Sequence, residues 1–372
     1  MAHGRSLHGQ RTVAAVLLSA ATLLLVASSP SVSTLEGSRA GRLPEATISR
    51  SLGEVVPFDT DHWHLNEGSS FVSFGGRRAL AGTAYLKGVS FLNGTIEADA
   101  WIAEAVNFAG FLFRTQSFEE SGWFWLRTGK TNGLVADAIQ YAPAFHRVFC
   151  WQLRPDAIGP VHVPKNQWVH MKLEVLGDSA ALYVGDMANP ALKVGRLGLG
   201  SKPGSAGLQT QTTGSVYFSN FSYRIDEGAP VAAAPSSIPP NVLAAWEMSP
   251  SYPIAGVGDV PTSYSALEVE EVANWIRPEV EPSGLINITR YHGTKYHGRA
   301  GVTEGRPTYA ILRTFIDADR DRHVRMDFGY SDAATIFLNR TPLFSGNSAF
   351  VSGNIAYGGW ITHGLQDVFG VG

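Results

Sequence analysis

The side chains best suited to bind a ligand come from one aromatic stretch of the chain. In GWFWLRTG, successive residues of a strand would alternate between two faces, so Trp123, Trp125 and Arg127 share one face, while Phe124 and Leu126 share the other. One face would lie in the core, and the other would be aromatic and cationic. The sequence therefore predicts a ligand-binding face on this strand.

Neighbouring runs add groups to this face. In FAGFLFRT the same alternation sets Phe111 and Phe113 opposite Leu112 and Arg114, so a second arginine would leave the sheet nearby. Sugars are held by aromatic rings that cover their C–H faces and by planar polar groups that meet their hydroxyls, so we expect carbohydrate as the partner. The predicted ligand-binding residues are Arg114, Trp123, Trp125, Arg127, Asp137, Gln140, Tyr141 and Gln152.

Two alternatives stay open for these residues. Trp123 and Trp125 could belong to the core between two sheets, with the arginines paired to Asp137 or Glu119. The protein would then be a structural or adhesive module that uses its sheets for protein contacts. No cofactor is expected for any of these functions.

A pair of carboxylates raises the possibility of glycoside hydrolysis. Retaining enzymes need an acid and a nucleophile about 5 to 5.5 Å apart, and strand alternation allows Glu97 and Asp99 to share a face. The related glucanase signature adds a further Glu shortly after Glu-x-Asp, but Trp101 and Ile102 stand there. If the protein is a hydrolase, Glu97 or Asp137 is the candidate acid or base.

The segments that contain these residues are predicted to be short strands. Aromatic and β-branched runs are closed off by Gly, Asn, Pro or Asp, and no window keeps an apolar stripe at helical spacing for long. The fold class is therefore expected to be all-β. A net charge of -3 without any Lys/Arg cluster gives no field for nucleic acid, so nucleic acid is not an expected partner.

Several of these runs resemble a known family. The succession NGTIEAD, FAGFLFR, FWLR, DAIQY, WQL, QWVHMKLEV and VYFSNFSY is similar to secreted bacterial concanavalin A-like, laminin-G-like domains, whose relatives include the 3-keto-disaccharide hydrolase group. The resemblance covers residues 53–225. It implies a two-sheet jelly roll whose concave sheet holds carbohydrate in many members.

The chain begins like an exported protein. Residues 1–33 combine a basic start, an apolar run and a small-residue exit site, which predicts a signal peptide followed by a flexible leader over 34–52. An uncleaved anchor is the alternative, because the apolar run approaches the roughly 20 residues of a spanning helix. We expect a secreted or periplasmic protein that has no membrane segment after cleavage.

A second unit follows a linker. Residues 226–241 are rich in Pro, Ala and Ser, which indicates a domain boundary. Residues 242–372 contain FGYSDAATIFLN and resemble a galactose-binding-like jelly roll. The pattern is cut short before the terminus, so this sandwich is expected to be truncated, with a mobile tail after about Gly346.

No residue set predicts a metal site. Asp317, Asp319 and Asp321 have the spacing of the first calcium-loop ligands, but Arg322 and Phe328 stand where the loop wants Gly and Glu. We interpret the segment as a solvated hairpin turn, with one calcium ion held by turn oxygens left open.

Histidine and cysteine give no site either. His62 and His64 could share a strand face but have no third ligand, and His292 and His297 are five residues apart. Cys150 cannot form an internal disulfide, because it is the single cysteine of the chain, and it is expected to pack as a small buried apolar side chain.

Overall fold

The computed structural model describes residues 11–19, 23–28, 53–103, 107–200, 202–211, 214–227, 238–256, 258–292, 307–317, 319–349, 361 and 365–371. The strands in these ranges pair antiparallel, and the helices among them are short 3-10 turns, so the all-β prediction is confirmed. The strands before the linker are β1 (Arg11–Ser19), β2 (Leu23–Ser28), β3 (Glu54–Val55), β4 (Trp63–Leu65), β5 (Ser70–Phe74), β6 (Arg77–Ala81), β7 (Ala84–Leu86), β8 (Gly94–Ile102), β9 (Phe108–Ser117), β10 (Glu120–Arg127), β11 (Ile139–Phe145), β12 (Val148–Phe149), β13 (Ile158–Gly159), β14 (Trp168–Leu176), β15 (Ser179–Val184), β16 (Leu192–Val194), β17 (Ser205–Thr210) and β18 (Val216–Ile225).

The remaining strands follow the linker. They are β19 (Glu247–Met248), β20 (Tyr252–Pro253), β21 (Leu285–Ile286), β22 (Thr308–Asp317), β23 (Arg322–Tyr330), β24 (Ala333–Leu338), β25 (Thr341–Asn347) and β26 (Leu365–Val371). Single-turn 3-10 helices are Thr128–Lys130, Trp151–Leu153, Tyr264–Leu267, Val269–Glu271 and Ile288–Arg290. None of the helices in the described ranges has the length and apolar character needed to span a bilayer.

The first sandwich consists of two eight-stranded sheets. Sheet 1 has the order β12-β11-β10-β9-β17-β7-β4, with β13 paired to β11. Sheet 2 has the order β16-β15-β14-β8-β18-β6-β5, with β3 paired to β18. This is the two-sheet jelly roll that the sequence predicts.

Strand alternation builds the core between these sheets. Phe111 and Phe124 point inward from sheet 1, and Ile96 and Leu173 point inward from sheet 2; all four are at most 1% exposed. Burying such a side chain is worth about 1.5 to 3 kcal/mol in area bookkeeping. The inner faces therefore hold the two sheets together and leave their outer faces available for other roles.

The second sandwich is smaller. Sheet 3 has the order β19-β22-β1-β24-β25, with β20 paired to β22, and sheet 4 has the order β21-β2-β23-β26. Their shared core includes Leu312 and Ile336 from sheet 3 and Met326 and Phe328 from sheet 4. The Asp-rich segment after β22 joins strands of different sheets, so it is not the hairpin turn that the sequence suggested.

The predicted signal segment supplies strands to this sandwich. Arg11–Ser19 pairs antiparallel with both β22 and β24, and Leu23–Ser28 pairs with β21 and β23. At the other end of the chain, Leu365–Val371 pairs with β23 along seven residues. Cleavage of residues 1–33 and truncation of the sandwich both stay predictions.

A buried ion pair connects the two units. The Arg154 guanidinium donates to the Glu281 carboxylate at 2.9 Å, and both side chains are at most 10% exposed. Burial raises the pKa of Glu281, and the charges of Arg154 and Arg196 oppose that shift. Leu285, from the second unit, joins the core of the first. The contact is therefore both apolar and ionic.

Removal of residues 1–33 tests the role of the N-terminal strands. Because β1 lies between β22 and β24, its loss should leave each of these strands unpaired along one edge, while β22 keeps β19 and β20 and β24 keeps β25. Hydrogen exchange should then accelerate in 308–317 and 333–338 and stay unchanged in 94–102 of the first sandwich. Equal protection with and without residues 1–33 would show that the segment is no part of the sandwich in solution.

Candidate functional site

Strand β10 carries apolar residues on both of its faces. Phe124 and Leu126 belong to the core between the sheets, whereas Trp123 and Trp125 lie on the outer face of sheet 1. The predicted alternation of GWFWLRTG is therefore present. Neither tryptophan belongs to the core between the sheets, which was the alternative interpretation.

Further rings cover these two indoles. The ring centroid of Trp123 lies 4.7 Å from that of Trp125 and 4.5 Å from that of Phe149. Half-buried Phe108, Phe149 and Trp151 pack on the pair, and Trp123 and Trp125 are only 1% and 2% exposed. We call these five side chains the outer aromatic layer. Its accessible rings are Phe108, Phe149 and Trp151.

Three buried polar atoms among the residues predicted for this face lack a hydrogen bond. The indole nitrogens of Trp123 and Trp125 and the Oε1 atom of Gln152 are shielded from solvent and have no partner in the described part of the chain. Burying a donor without a partner costs about 1 to 3 kcal/mol, so most native donors are satisfied. Two such donors side by side mark this face as unusual.

A rigid polar cluster borders the layer. Arg127 donates to the backbone oxygen of Asp137 at 2.6 Å and to the side-chain oxygen of Gln140. Lys130 binds the Asp137 carboxylate at 2.9 Å, and Gln140 donates to the backbone oxygen of Trp151 at 2.8 Å. Burial lowers the pKa of Arg127, and the charge of Asp137 opposes the shift. The guanidinium also lies 5.5 Å from the ring centroid of Trp125.

Arg114 departs from its predicted position. It has a φ of 49°, and the pairing of β9 with β17 shifts register around it, so a bulge turns the side chain away from the outer face. Its guanidinium donates to the backbone oxygens of Leu92, Gly177 and Gly200 at 2.9, 2.5 and 3.2 Å. Burial lowers its pKa. Arg114 therefore ties loops together and does not face a ligand at this site.

Tyr141 also lies elsewhere. Its ring is fully buried between the sheets, and its hydroxyl donates to the backbone oxygen of Leu197. Burial raises its pKa well above the ordinary value. Of the predicted set, the structure brings together Trp123, Trp125, Arg127, Asp137 and Gln140. Gln152 follows Trp151 in the chain, and its buried side-chain oxygen has no partner in the described ranges.

Sequence reasoning missed the accessible rings. Phe108 begins β9 and is the first residue of the FAGFLFRT run, Phe149 lies in β12, and Trp151 and Lys130 lie in 3-10 turns. The FCWQL run contains Phe149 and Trp151, so its aromatic content was a usable signal. The return of the chain after β11 brings Phe149 and Trp151 to this face, whereas Phe108 lies on β9 itself.

The two candidate catalytic carboxylates cannot act as a pair. Glu97 alternates with the core residues Ile96 and Ala98 and so lies on the outer face of sheet 2, while Asp137 borders the outer face of sheet 1. Stacked sheets are about 10 Å apart, so these outer faces are further apart than a glycosidase pair.

Glu97 takes part in a different network. The His170 ring nitrogens lie 2.8 Å from Asp99 and 3.2 Å from Glu97, and Arg77 donates to Asp99 at 2.6 Å. The hydrogen bond with Asp99 raises the pKa of His170, against the effect of burial. Burial would raise the pKa of Asp99, but hydrogen bonds from His170, Asn220 and Arg77 together lower it. The network is an ionic link between β8 and β14.

The structure also tests the predictions made for Cys150 and for the candidate metal ligands. Cys150 is 1% exposed, as predicted, and burial raises its thiol pKa to about 11, which makes it a poor nucleophile at neutral pH. In the described ranges, no group of three or more His, Cys, Asp or Glu side chains could hold a metal ion. His297 lies outside those ranges, and His292 binds the backbone oxygen of Ser249 at 2.7 Å.

Comparisons with known proteins find only distant similarity. No protein-family model and no curated protein sequence matches the chain. Similar solved structures include a carbohydrate-binding module from Bacillus subtilis, with 15% identity, a TM-score of 0.34, and coverage of 44% of this chain and 95% of that one. A Bacillus licheniformis β-glucanase has 12% identity, a TM-score of 0.35, and coverage of 46% and 95%. A Caenorhabditis elegans galectin has 9% identity, a TM-score of 0.29, and coverage of 45% and 99%. Identities this low say nothing about what this chain binds.

Trp125→Ala should destabilise the first sandwich. The ring is buried between other aromatic rings, so its removal should cost about 3 to 5 kcal/mol. Denaturant unfolding of the variant measures that loss, and Lys130→Ala, a change at the exposed edge, serves as the control. A loss below about 1 kcal/mol would show that the outer layer is loosely packed in solution.

The His170 network predicts a pH dependence. The folded-state pKa of His170 is raised, so its stabilising effect should be complete below its unfolded pKa of about 6.5 and should be lost as pH rises through the folded value. The effect should be small, because the side chain is 39% exposed. His170→Gln should flatten this part of the stability profile. An unchanged slope in the variant would assign the pH dependence to another group.

Proposed function

We propose that the protein is an exported carbohydrate-binding protein that holds a glycan on the outer face of sheet 1. The proposal rests on the outer aromatic layer, in which accessible rings cover two indole N–H groups that have no hydrogen-bond partner in the described ranges. Export is proposed from the composition of residues 1–33. The resemblance to carbohydrate-binding jelly rolls agrees with this function but does not carry it.

The ligand chemistry follows from the accessible groups. Phe108, Phe149 and Trp151 offer ring faces for the C–H faces of a sugar. Lys130 and Asp137, at 46% and 24% side-chain exposure, offer a cation and a carboxylate to its hydroxyls. Because Asp137 is held by two cations, its geometry is fixed before a sugar arrives, which reduces the entropic cost of binding.

Binding is favoured over hydrolysis. Glycosidases of the usual kind need two carboxylates that flank one bond, but Glu97 and Asp99 are both held by the His170 ring, and Asp137 belongs to the other sheet. The 3-keto-disaccharide hydrolase resemblance gives no residue pair that changes this. We therefore propose recognition of the glycan without covalent chemistry.

Trp151→Ala tests the proposed face, with Trp101→Ala as a matched control. Both tryptophans are half-buried, but Trp101 lies on the outer face of sheet 2. Retention on immobilised polysaccharides, followed by titration with the oligosaccharide that binds, should show that Trp151→Ala weakens binding by about 1 to 3 kcal/mol, or roughly 5- to 150-fold. Trp101→Ala should bind normally.

Three outcomes would contradict the proposal. Equal binding by the folded Trp151→Ala variant and the parent would exclude this face. Release of reducing sugar from the same polysaccharides, lost in Asp137→Asn, would replace binding by hydrolysis. Retention of no polysaccharide at all would favour the structural or adhesive module.

A further inference from the structure

Two of the accessible rings, Phe149 and Trp151, lie on a short segment at the edge of sheet 1. Strand β12 pairs with β11 at both of its residues, and the 3-10 turn Trp151–Leu153 follows it. β12 stands first in the order of sheet 1, so a neighbouring strand supports it from one side. A segment with few backbone hydrogen bonds to its own sheet depends for its position on what packs against it. We call residues 148–154 the edge segment.

The first contact between the edge segment and the second sandwich is made by Cys150. Its Sγ atom lies 3.8 Å from Oδ1 of Asn287, within hydrogen-bond distance for sulfur, and Thr289 also hydrogen-bonds to the thiol. Asn287 precedes the 3-10 turn Ile288–Arg290, but its side chain makes no capping hydrogen bond there. The Asn287 amide is therefore turned toward the edge segment and not toward its own turn.

The second contact is a backbone hydrogen bond. The N–H of Ile361 donates to the backbone oxygen of Gln152 at 2.9 Å. Ile361 and Leu285 are 4% and 6% exposed, and both belong to the hydrophobic core of the first sandwich, although they follow the linker in the chain. The hydrogen bond is therefore accompanied by apolar burial between the two sandwiches.

The third contact is the buried ion pair of Arg154 and Glu281. Arg196 also reaches this carboxylate, with its Nε atom 3.1 Å from Oε2 of Glu281. Glu281 thus meets two cations of the first sandwich. Separating a buried charge from its partner is strongly destabilising, because the charge is then left without compensation. The ion pair therefore fixes the end of the edge segment.

The aromatic residues between these contacts face the outer aromatic layer. Phe149 and Trp151 pack on the indoles of Trp123 and Trp125. The backbone oxygen of Trp151 also accepts a hydrogen bond from Gln140 at 2.8 Å. The edge segment is therefore held between the outer aromatic layer on one side and the second sandwich on the other.

We infer that the second sandwich positions the two accessible rings of the edge segment. Asn287 and Glu281 are positioning residues that hold the segment, and with it Phe149 and Trp151, against the outer aromatic layer. Rings held in place before a ligand arrives lose less freedom when it binds. The role of the rings as ligand contacts rests on the proposed function, whereas the position of the segment can be measured without a ligand.

Cys150 is an internal probe of this contact. It is the single cysteine of the chain and is 1% exposed, so a thiol reagent reaches it only when its surroundings open. Glu281→Gln removes the charge that Arg154 meets. In the full-length protein at one pH, dithiobisnitrobenzoate should modify Cys150 of this variant about tenfold faster than Cys150 of the parent, because the weakened contact opens more often.

Glu247→Gln is the matched control. Glu247 also accepts from an arginine, Arg313, at 2.7 Å, and both side chains are partly buried, but this pair lies within sheet 3. The control therefore loses a similar ion pair of the second sandwich and should keep the labelling rate of the parent. Glu281→Asp retains the negative charge, so its Cys150 should be labelled more slowly than that of Glu281→Gln.

Asn287→Ala keeps the inference falsifiable if Glu281→Gln does not fold. It removes a neutral side chain, so no buried charge loses its partner. Amide hydrogen exchange should accelerate about threefold in 148–154 and stay at the parent rate in 94–102, which forms β8. Acceleration in both ranges would show a general loss of stability and would overturn the positioning role.

Binding then connects position with function. On a polysaccharide that the parent retains, Glu281→Gln and Asn287→Ala should bind roughly three- to tenfold more weakly, because their rings are less well ordered before binding. Glu247→Gln should bind like the parent. Labelling and exchange rates equal to those of the parent would overturn the inference, as would a loosened edge segment that binds normally. If the parent retains no polysaccharide, the proposed function fails, and labelling and exchange by themselves decide whether the second sandwich holds the segment.

Discussion

The structure of the first sandwich depends on a strand that is buried on both sides. In β10, Phe124 and Leu126 close the core between the sheets, and Trp123 and Trp125 are covered from outside. A strand in the middle of a sheet cannot slip by one residue without exchanging these faces. The register of sheet 1 is therefore fixed twice, once by the inner core and once by the outer layer.

Because β10 is buried on both sides, the aromatic residues on its outer face have to be interpreted differently. Rings that alternate to the outside of a sheet are expected in solvent, yet the outer indoles are nearly inaccessible. The accessible rings are instead those of Phe149 and Trp151, which pack over the indoles. The unpaired N–H groups beneath are a destabilising feature, and a structural layer alone would gain from satisfying them.

Two arginines show how burial decides the role of a side chain. Arg114 and Arg127 both lie on strands of sheet 1 and both have a pKa lowered by burial. Arg114 satisfies its donors with backbone oxygens of three loops, because a bulge turns it inward. Arg127 stays outside and shares its donors between Asp137 and Gln140. A buried guanidinium must find acceptors, and the local backbone determines which ones it meets.

The candidate carboxylates also lie on two different sheets. Glu97 and Asp99 share a face, as their spacing requires, but that face belongs to sheet 2 and engages His170 and Arg77. Asp137 stands with Lys130 at sheet 1. Spacing within a strand is visible in the sequence, whereas the sheet that a strand joins depends on pairing with distant segments.

The sequence by itself determined the all-β class and the alternation that separates Phe124 from Trp123, because side-chain direction along a strand is a property of the local backbone. The two-sheet jelly roll was implied by the family resemblance. It also predicted the burial of Cys150. Only the tertiary structure decided that the indoles are covered, that Arg114 turns away, and that Arg154 meets Glu281 of the second unit. These outcomes depend on bulges and on contacts between residues far apart in the chain, such as Arg154 and Glu281, which no local pattern encodes.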